Sequence, residues 1–194
     1  MEHRSHFFFA VRIPEQTKLT MQEHMGKIKE RIPFSRWVHY QDLHITLAFL
    51  GSAPPDKLAL AENNVNDALK DEKAFTLRIN KLGFFGSADS PRVFWADIEE
   101  SKHLQTIRKK VFSACENAGF QLETRPFRPH ITLARKWDGV HPFQKEMLDL
   151  WEELQPNPLS FEASEVVLYR TNLNKTPKYE ALKIYPLNHT KTYN

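Results

Sequence analysis

The pentapeptide His-Ile-Thr-Leu-Ala occurs twice in this chain of 194 residues, at positions 44–48 and again at positions 130–134. The two copies lie 86 positions apart, and a repeated word of this length indicates an internal duplication rather than chance. A duplication predicts two similar lobes related by a pseudo-two-fold axis, folded as a single domain over residues 1–194. This constraint applies before any single helix or strand is assigned.

Each copy of the word has the residue types of a strand whose two faces differ. Successive side chains on an extended strand point to opposite faces, so His44 and Thr46 share one face, as do His130 and Thr132 in the second copy. The apolar residues of each word point to the other face and anchor the strand. If the two copies face each other, two imidazoles and two hydroxyls line one groove.

Two histidines and two threonines around one groove suit phosphodiester chemistry. Histidine has an unperturbed pKa of about 6.5, so one neutral imidazole can take a proton from water while a protonated one gives a proton to a leaving oxygen. The threonine hydroxyls can donate hydrogen bonds to the non-bridging oxygens of an anionic substrate. The residue types therefore predict an acid and a base on opposite sides of one phosphorus atom.

Two other interpretations of the paired histidines stay open. Histidines also bind zinc, but two ligands are too few, and neither motif carries a nearby Asp, Glu, Cys or second His on the same face. We therefore predict no metal. In the other interpretation, both histidines only satisfy hydrogen bonds in the core, and the repeat is a remnant of duplication. The remaining histidines have no repeat partner and are treated as surface or structural residues: His3, His6, His24, His39, His103, His141 and His189.

The two copies diverge directly after the shared word, at Phe49 in the first and at Arg135 in the second. A guanidinium can bind a phosphate in bidentate fashion, and an aromatic ring can stack on a nucleobase, so both are candidate substrate-binding residues. Strict alternation places them on the face opposite the histidines, and Arg135 reaches the groove only if its strand ends, bulges or twists there. The alternatives are a solvated surface arginine and a core phenylalanine.

Composition adds limits rather than a function. The chain is 41% hydrophobic and 26% charged, as expected of a globular protein, and its net charge of +3 is compatible with a polyanionic ligand without requiring one. The single cysteine, Cys115, excludes an intramolecular disulfide and is expected to be a buried thiol in a reducing compartment. No stretch reaches the roughly 18 apolar residues of a membrane span. We therefore predict a cytoplasmic monomer with no membrane association and no obligate protein partner.

Hydrophobic periodicity predicts strands and helices that alternate along the chain. Strands are predicted at 6–13, 37–40, 43–50, 75–82, 93–98, 130–134, 161–169 and 179–185, and helices at 15–31, 56–69, 101–119 and 142–154. The glycines and serines of 83–90 predict a turn, and those residues join two of the strands. Interleaved elements of this kind predict an α+β architecture of two sheets flanked by outer helices.

Two longer segments resemble a known family. The segments 43–51 (LHITLAFLG) and 125–135 (RPFRPHITLAR) closely resemble the two His-x-Thr signature motifs of the 2H phosphoesterases. The nearest branch is the RNA 2′,3′-cyclic phosphodiesterases, historically called 2′-5′ RNA ligases. Residues 7–11 resemble the opening strand of that family and residues 167–170 a late strand. The resemblance implies two lobes with pseudo-two-fold symmetry, whose two antiparallel sheets form a central cleft.

The resemblance also implies an activity and roles for single residues. The implied reaction is metal-independent and cofactor-free hydrolysis of an RNA-terminal 2′,3′-cyclic phosphate, or of a nucleotide that carries one, to a 2′-phosphomonoester. In that reaction His44 is the proton donor and His130 the proton acceptor, while Thr46 and Thr132 hold the phosphate oxygens. Two alternatives remain: end joining through a 2′-5′ linkage, in which a 5′-hydroxyl replaces water, and a non-catalytic RNA- or nucleotide-binding module.

Overall fold

The computed structural model describes residues 5–189, which form strands and helices in the interleaved order that the sequence predicts. The strands are β1 (Phe7–Arg12), β2 (Phe34–Trp37), β3 (His44–Gly51), β4 (Phe75–Gly86), β5 (Pro91–Ile98), β6 (His130–Trp137), β7 (Leu159–Ala163), β8 (Glu165–Thr171) and β9 (Tyr179–Pro186). The helices are α1 (Glu15–Arg31), α2 (Pro55–Leu69), α3 (Lys102–Asn117) and α4 (Leu150–Leu154), with 3₁₀ turns at Tyr40–Asp42 and Lys145–Asp149.

The described strands form two antiparallel sheets, and each sheet contains one copy of the repeated word. The first sheet has the order β3-β1-β8-β9, and the second has the order β2-β6-β5-β4-β7. The two motif strands, β3 and β6, therefore belong to different sheets, and their Cα atoms approach within 8 Å of one another. This arrangement confirms the α+β class. Each sheet contains strands from both halves of the sequence. In the first sheet β8 and β9 join β1 and β3, and in the second β2 joins β6 and β7.

The main core lies between the sheets and the helices that cover them. In α3, Leu104, Ile107, Val111 and Cys115 fall three or four residues apart and are buried on one face of the helix. Burial raises the pKa of the Cys115 thiol to about 12, so the thiol stays protonated and unreactive. After α3 the backbone turns at Gly119, whose φ of +91° favours glycine. No described helix is long and apolar enough to cross a membrane.

A second, smaller apolar cluster lies on the opposite face of the first sheet and underlies the site. It comprises Phe8, Ala10, Val167 and Tyr169, with Tyr179 packed against it. Strand β1 alternates, so its even-numbered residues join this cluster while its odd-numbered residues join the main core. Both faces of β1 are therefore buried, which explains its uninterrupted apolar sequence.

The predicted strand 161–169 is wrong as a single element, because the structure divides it between the two sheets. Strand β7 pairs with β4, whereas β8 pairs with β1. The chain changes sheets at Ser164, whose carbonyl accepts a hydrogen bond from the Leu187 amide, 2.8 Å away, outside both ladders. No glycine or proline lies at this change of sheet, so the apolar pattern of residues 161–169 predicts one continuous strand.

Three further boundaries differ from the prediction. Strand β4 continues to Gly86, so only the tip of the predicted turn 83–90 is a turn. Gly83 lies inside the strand, where the Trp95 ring would stand 2.2 Å from a Cβ, so this position requires glycine. The predicted strand 37–40 is replaced by β2 and the 3₁₀ turn Tyr40–Asp42. The predicted helix 142–154 is a 3₁₀ turn followed by the short α4, and residues 142–144 lie outside both.

Candidate active site

The two motif strands open onto a single cavity of about 180 Å³ between the sheets. All six residues that the sequence singles out line this cavity: His44, Thr46, Phe49, His130, Thr132 and Arg135. The cavity is also lined by residues that the sequence did not point to, namely Phe8, Val38, Asp42, Thr171, Lys178 and Tyr179. The side chains proposed for acid-base chemistry are thus brought together from positions far apart in the chain.

Arg135 reaches the cavity because β6 contains a bulge at Leu133. The pairing of β6 with β5 shifts by one residue between Thr132 and Ala134, which leaves Leu133 without a partner. An extra residue in one strand reverses the alternation beyond it. Arg135 therefore lies on the same face as the histidine and lines the cavity, as the bulged alternative requires.

Phe49 reaches the cavity because β3 also contains a bulge. The pairing with β1 shifts between Thr46 and Ala48, so Leu47 is the unpaired residue and Phe49 returns to the histidine face. The alternative of a core phenylalanine is wrong, because the Phe49 side chain is 53% exposed. The repeat therefore includes a bulge at its leucine, in addition to the five shared residues.

Both histidine rings are oriented by main-chain carbonyls two residues earlier. The Nδ1 atom of His44 lies 2.7 Å from the Asp42 carbonyl oxygen, and that of His130 lies 2.8 Å from the Arg128 carbonyl oxygen. A carbonyl only accepts, so Nδ1 carries the proton in both rings and Nε2 is left for the cavity. In the first copy the Nε2 atom lies 3.0 Å from the Thr46 hydroxyl, which donates to it when the ring is neutral.

His44 is packed among aromatic rings. Its ring centroid lies 4.9 Å from that of Phe8, 5.2 Å from that of Tyr179 in an edge contact, and 6.2 Å from that of Tyr169. This burial lowers the pKa of His44 to about 4, although the carbonyl and the carboxylate of Asp42 act in the opposite direction. In the free protein His44 is therefore a neutral imidazole near pH 7.

His130 has a different set of neighbours. Its ring makes an edge contact with Phe85 at 5.0 Å and lies 6.0 Å from the Trp95 ring. Burial lowers the pKa of His130 most, and the positive charges of Arg135 and Arg128 lower it further, while the Arg128 carbonyl and the Asp97 carboxylate act in the opposite direction. His130 is therefore held in the neutral form that can accept a proton.

Comparison with known proteins places the chain in one family. A sequence model of the 2′-5′ RNA ligase superfamily matches residues 18–175. This chain belongs to that superfamily. The resemblance to the 2H phosphoesterases that the two motifs carry is thereby confirmed.

Individual members of the superfamily match over most of this chain. It is 45% identical over 185 residues to an RNA 2′,3′-cyclic phosphodiesterase of Geobacillus stearothermophilus, covering 95% of this chain but 58% of that protein's length. It is 33% identical over 179 residues to an RNA 2′,3′-cyclic phosphodiesterase of Bacillus subtilis, covering 92% of this chain and 94% of that one. The apo form of Escherichia coli LigT has the same fold, with a TM-score of 0.73, 24% identity and 95% and 98% coverage of the two chains.

Asp42 is the most informative cavity residue that the sequence did not reveal. It is buried, and its carboxylate accepts hydrogen bonds from the backbone amides of Lys178 at 3.1 Å and Tyr179 at 3.0 Å. Its own carbonyl orients His44. Asp42 thus connects the start of β9 to the histidine. These partners lie more than 130 positions apart, so no local pattern signals the contact.

The structure also describes most of the remaining histidines. His24 is buried on α1, with its Nε2 atom 2.9 Å from the Gln155 side-chain oxygen and its ring edge against Trp151, as expected of a structural residue. His3 lies outside the described residues.

Within residues 5–189, no group of three or more His, Cys, Asp and Glu side chains is arranged to hold a metal ion.

Proposed function

We propose that this protein hydrolyses an RNA-terminal 2′,3′-cyclic phosphate to a 2′-phosphomonoester, with two histidines as acid and base and without a metal. One observation carries the proposal: two imidazoles, each with Nδ1 bound to a main-chain carbonyl, share one cavity with two threonines. The names of the Geobacillus and Bacillus relatives, both RNA 2′,3′-cyclic phosphodiesterases, support the same reaction.

In the proposed reaction His130 acts on the incoming water and His44 on the leaving oxygen. Nε2 of neutral His130 takes a proton from water as the water oxygen attacks phosphorus. The bond between phosphorus and the 3′ oxygen breaks, and His44 gives its Nε2 proton to that oxygen. The bond to the 2′ oxygen remains, which leaves a 2′-phosphomonoester and a 3′-hydroxyl. One proton enters through His130 and one leaves through His44, so the pair is reset by proton exchange with solvent.

The non-bridging phosphate oxygens need donors as negative charge builds up on them. The hydroxyls of Thr46 and Thr132 supply one donor each, and the Arg135 guanidinium supplies two in a fork that matches a phosphate. In the free protein the Thr46 hydroxyl lies 3.0 Å from Nε2 of His44. Substrate binding therefore moves this hydroxyl from the imidazole to a phosphate oxygen.

The acid role of His44 depends on the charge of the substrate. With a pKa of about 4, only roughly one His44 ring in a thousand is protonated near pH 7 in the free protein. An anionic phosphate within hydrogen-bond distance of Nε2 raises the pKa of the imidazole, by about one to three units for an opposite charge that close. Substrate binding thus favours the protonated form of His44, while His130, which lies beside two guanidiniums, stays neutral.

Phe49 is proposed to stack on the terminal nucleobase. It is a large apolar side chain that is 53% exposed at the edge of the cavity, and its ring makes an edge contact with His6 at 5.7 Å. A nucleobase stacks on an aromatic face whatever its sequence, so this contact favours a nucleotide without selecting one base.

Product analysis with an oligonucleotide that ends in a 2′,3′-cyclic phosphate tests the reaction directly. We expect a 2′-phosphomonoester end and a rate that excess chelator does not change. A 3′-phosphate end, or activity that chelator removes and zinc restores, would contradict the mechanism. Adding an RNA with a 5′-hydroxyl tests the joining alternative, which predicts a longer strand with a 2′-5′ linkage. Binding without turnover would favour the non-catalytic alternative.

A further inference from the structure

Lys178 is a cation in the cavity that the proposed mechanism does not use. Its side chain is half-buried and lines the cavity, with Nζ 4.9 Å from the Tyr179 ring centroid. Among the described residues, no carboxylate lies within ion-pair distance of Lys178. By contrast, two arginines of the same sheet are paired: Arg12 with Glu165 at 3.1 Å and Arg170 with Glu180 at 2.7 Å. The Lys178 charge is therefore available to a ligand.

The cavity is lined by two permanent cations, Arg135 and Lys178, and by one carboxylate, Asp42, whose two oxygens already accept hydrogen bonds from backbone amides. A 2′,3′-cyclic phosphate carries a single negative charge, and Arg135 already stands on the His130 side to meet it. A second permanent cation favours a second anionic group on the substrate. In an RNA end, the next phosphate along the chain is the phosphodiester on the 5′ oxygen of the terminal ribose.

The direction of the reaction decides on which side that phosphodiester lies. In the proposed displacement, water enters beside His130 and the 3′ oxygen leaves beside His44, so the ribose that carries this oxygen lies on the His44 side. The Lys178 Nζ atom lies 4.9 Å from the ring centroid of Tyr179, and that ring lies 5.2 Å from the ring of His44. Lys178 is thus the cation on the ribose side of the phosphorus atom.

The size of the cavity places the rest of the substrate at its rim. Its volume of about 180 Å³ is below the roughly 300–1,000 Å³ of pockets that enclose drug-sized ligands. An oligonucleotide can therefore place only its reacting end inside, and the preceding phosphodiester must lie outward from it on the ribose side.

The backbone of Lys178 is held in place before any ligand arrives. Its amide donates to the Asp42 carboxylate at 3.1 Å, and its carbonyl accepts from the Asn172 amide at 2.6 Å. Fixing a binding residue in advance lowers the conformational cost of using it. Asp42, which orients His44 through its carbonyl, therefore also holds the backbone from which this cation extends.

We propose that Lys178 binds the phosphodiester that joins the terminal ribose to the preceding nucleotide, and thereby selects an oligonucleotide end over a nucleoside 2′,3′-cyclic phosphate. The inference rests on the proposed function, because it uses the side from which the 3′ oxygen leaves. It adds a second phosphate subsite to the cavity and assigns its ligand.

The test compares two substrates, one with and one without this phosphodiester and the nucleoside that it joins. Adenosine 2′,3′-cyclic phosphate lacks it, and the dinucleotide ApA with a 2′,3′-cyclic phosphate end contains it. We expect the wild-type protein to favour the dinucleotide by at least ~tenfold in kcat/KM, the scale of one charge-assisted hydrogen bond. Lys178→Ala should lower that ratio by at least ~tenfold, and Lys178→Arg should restore most of it.

Lys175→Ala is the matched control, because Lys175 lies in the same β8–β9 loop, is exposed, and does not line the cavity. Its dinucleotide preference should stay within about twofold of wild type, since a distant surface charge contributes little. A dinucleotide whose internal linkage is a neutral methylphosphonate gives an independent test that needs no variant. Wild-type protein should treat it like the mononucleotide, and Lys178→Ala should not lower its rate beyond its effect on the mononucleotide.

The outcomes separate this inference from the proposed function. If Lys178→Ala lowers both substrates equally, Lys178 holds the reacting phosphate and the subsite is overturned. If wild-type protein keeps its preference on the methylphosphonate substrate, the subsite is overturned even if the variant fails to fold. If wild-type protein hydrolyses neither cyclic phosphate, the proposed function itself fails.

Discussion

The two sides of the cleft share one sequence word and one local geometry, but their surroundings differ. On both sides a main-chain carbonyl two residues earlier binds Nδ1 of the histidine, and a bulge falls at the leucine of the word. Around His44 the neighbours are three aromatic rings and the Asp42 carboxylate. Around His130 they include the guanidiniums of Arg128 and Arg135. The duplication therefore set the positions of the rings, and the surroundings set their charge.

This difference accounts for opposite roles in one reaction. Burial lowers the pKa of His130, and the positive charges of Arg135 and Arg128 lower it further against the opposing carboxylate of Asp97, which suits a base. The carboxylate of Asp42 favours the protonated form of His44, and that form becomes populated once an anionic phosphate joins it. The hydroxyl contacts also differ, because Thr46 bonds to Nε2 of His44, whereas within residues 5–189 Nε2 of His130 has no hydrogen-bond partner. His130 is thus free to bind water.

Removal of either histidine has the largest expected effect. His44→Ala and His130→Ala should each lower hydrolysis of the oligonucleotide cyclic phosphate by at least ~100-fold, since each removes one proton-transfer partner. A substrate with sulfur in place of the 3′ oxygen separates the two roles, because a thiolate leaves without needing a proton. His44→Ala should recover most of its lost rate on the sulfur substrate, and His130→Ala should not.

The control for this experiment is His141→Ala, since His141 is exposed and does not line the cavity. Its rate should stay within about twofold of wild type on both substrates, the range expected for a surface change remote from the chemistry. If His130→Ala, and not His44→Ala, regains its rate on the sulfur substrate, then His130 is the proton donor and His44 the proton acceptor.

Alternation along the strands was sufficient to predict which residues of the two words share a cavity. His44 and Thr46, like His130 and Thr132, needed only the two-residue period of an extended chain and the assumption that the copies meet. The positions of Phe49 and Arg135 depend on bulges, and a bulge is a mismatch with the neighbouring strand. It is therefore visible only when the pairing is known.

The remaining differences have the same origin in contacts between distant parts of the chain. The sheet change at Ser164 is set by pairing with β4 on one side and with β1 on the other, and the local residues read as one strand. Asp42 and Lys178 meet through a bond between positions 136 residues apart. Local periodicity predicts elements and faces, but it has no information about such partners.

Phe49 and Arg135 occupy equivalent positions after the two bulges, but one side chain is an aromatic ring and the other a guanidinium. Their variants give the next test. Arg135→Ala should lower kcat by about 100-fold with little change in KM, since its donors act most strongly on the charge of the transition state. Phe49→Ala should raise KM by about tenfold with little change in kcat, since stacking on a base holds substrate and transition state equally.

Conservative variants sharpen this contrast. Phe49→Tyr keeps an aromatic face and should keep KM within about twofold of wild type. Arg135→Lys keeps the charge but loses the bidentate fork, so its kcat should fall between those of wild type and Arg135→Ala. Equal effects of the two alanine variants on kcat would contradict the separation of phosphate and base contacts between the two sides.

The pH dependence of kcat/KM gives the smallest expected effect, about tenfold per pH unit. Burial lowers the pKa of both histidines, so both imidazole rings are neutral near pH 7 in the free protein. The active form needs one proton, on His44, with His130 neutral. Above the higher of the two pKa values the singly protonated pair becomes tenfold rarer for each pH unit, so kcat/KM should fall towards tenfold for each unit.

The profile of kcat should lie at higher pH than that of kcat/KM, because the bound phosphate raises the pKa of His44 in the complex. On the sulfur substrate, where no acid is needed, the alkaline fall of kcat/KM should disappear while the acid limb of His130 remains. A kcat/KM that stays level from about pH 6 to about pH 8 on the oxygen substrate would mean that His44 keeps its proton despite the rings of Phe8, Tyr169 and Tyr179. The aromatic surroundings would then not control the acid, and the contrast between the two sides would reduce to the guanidiniums beside His130.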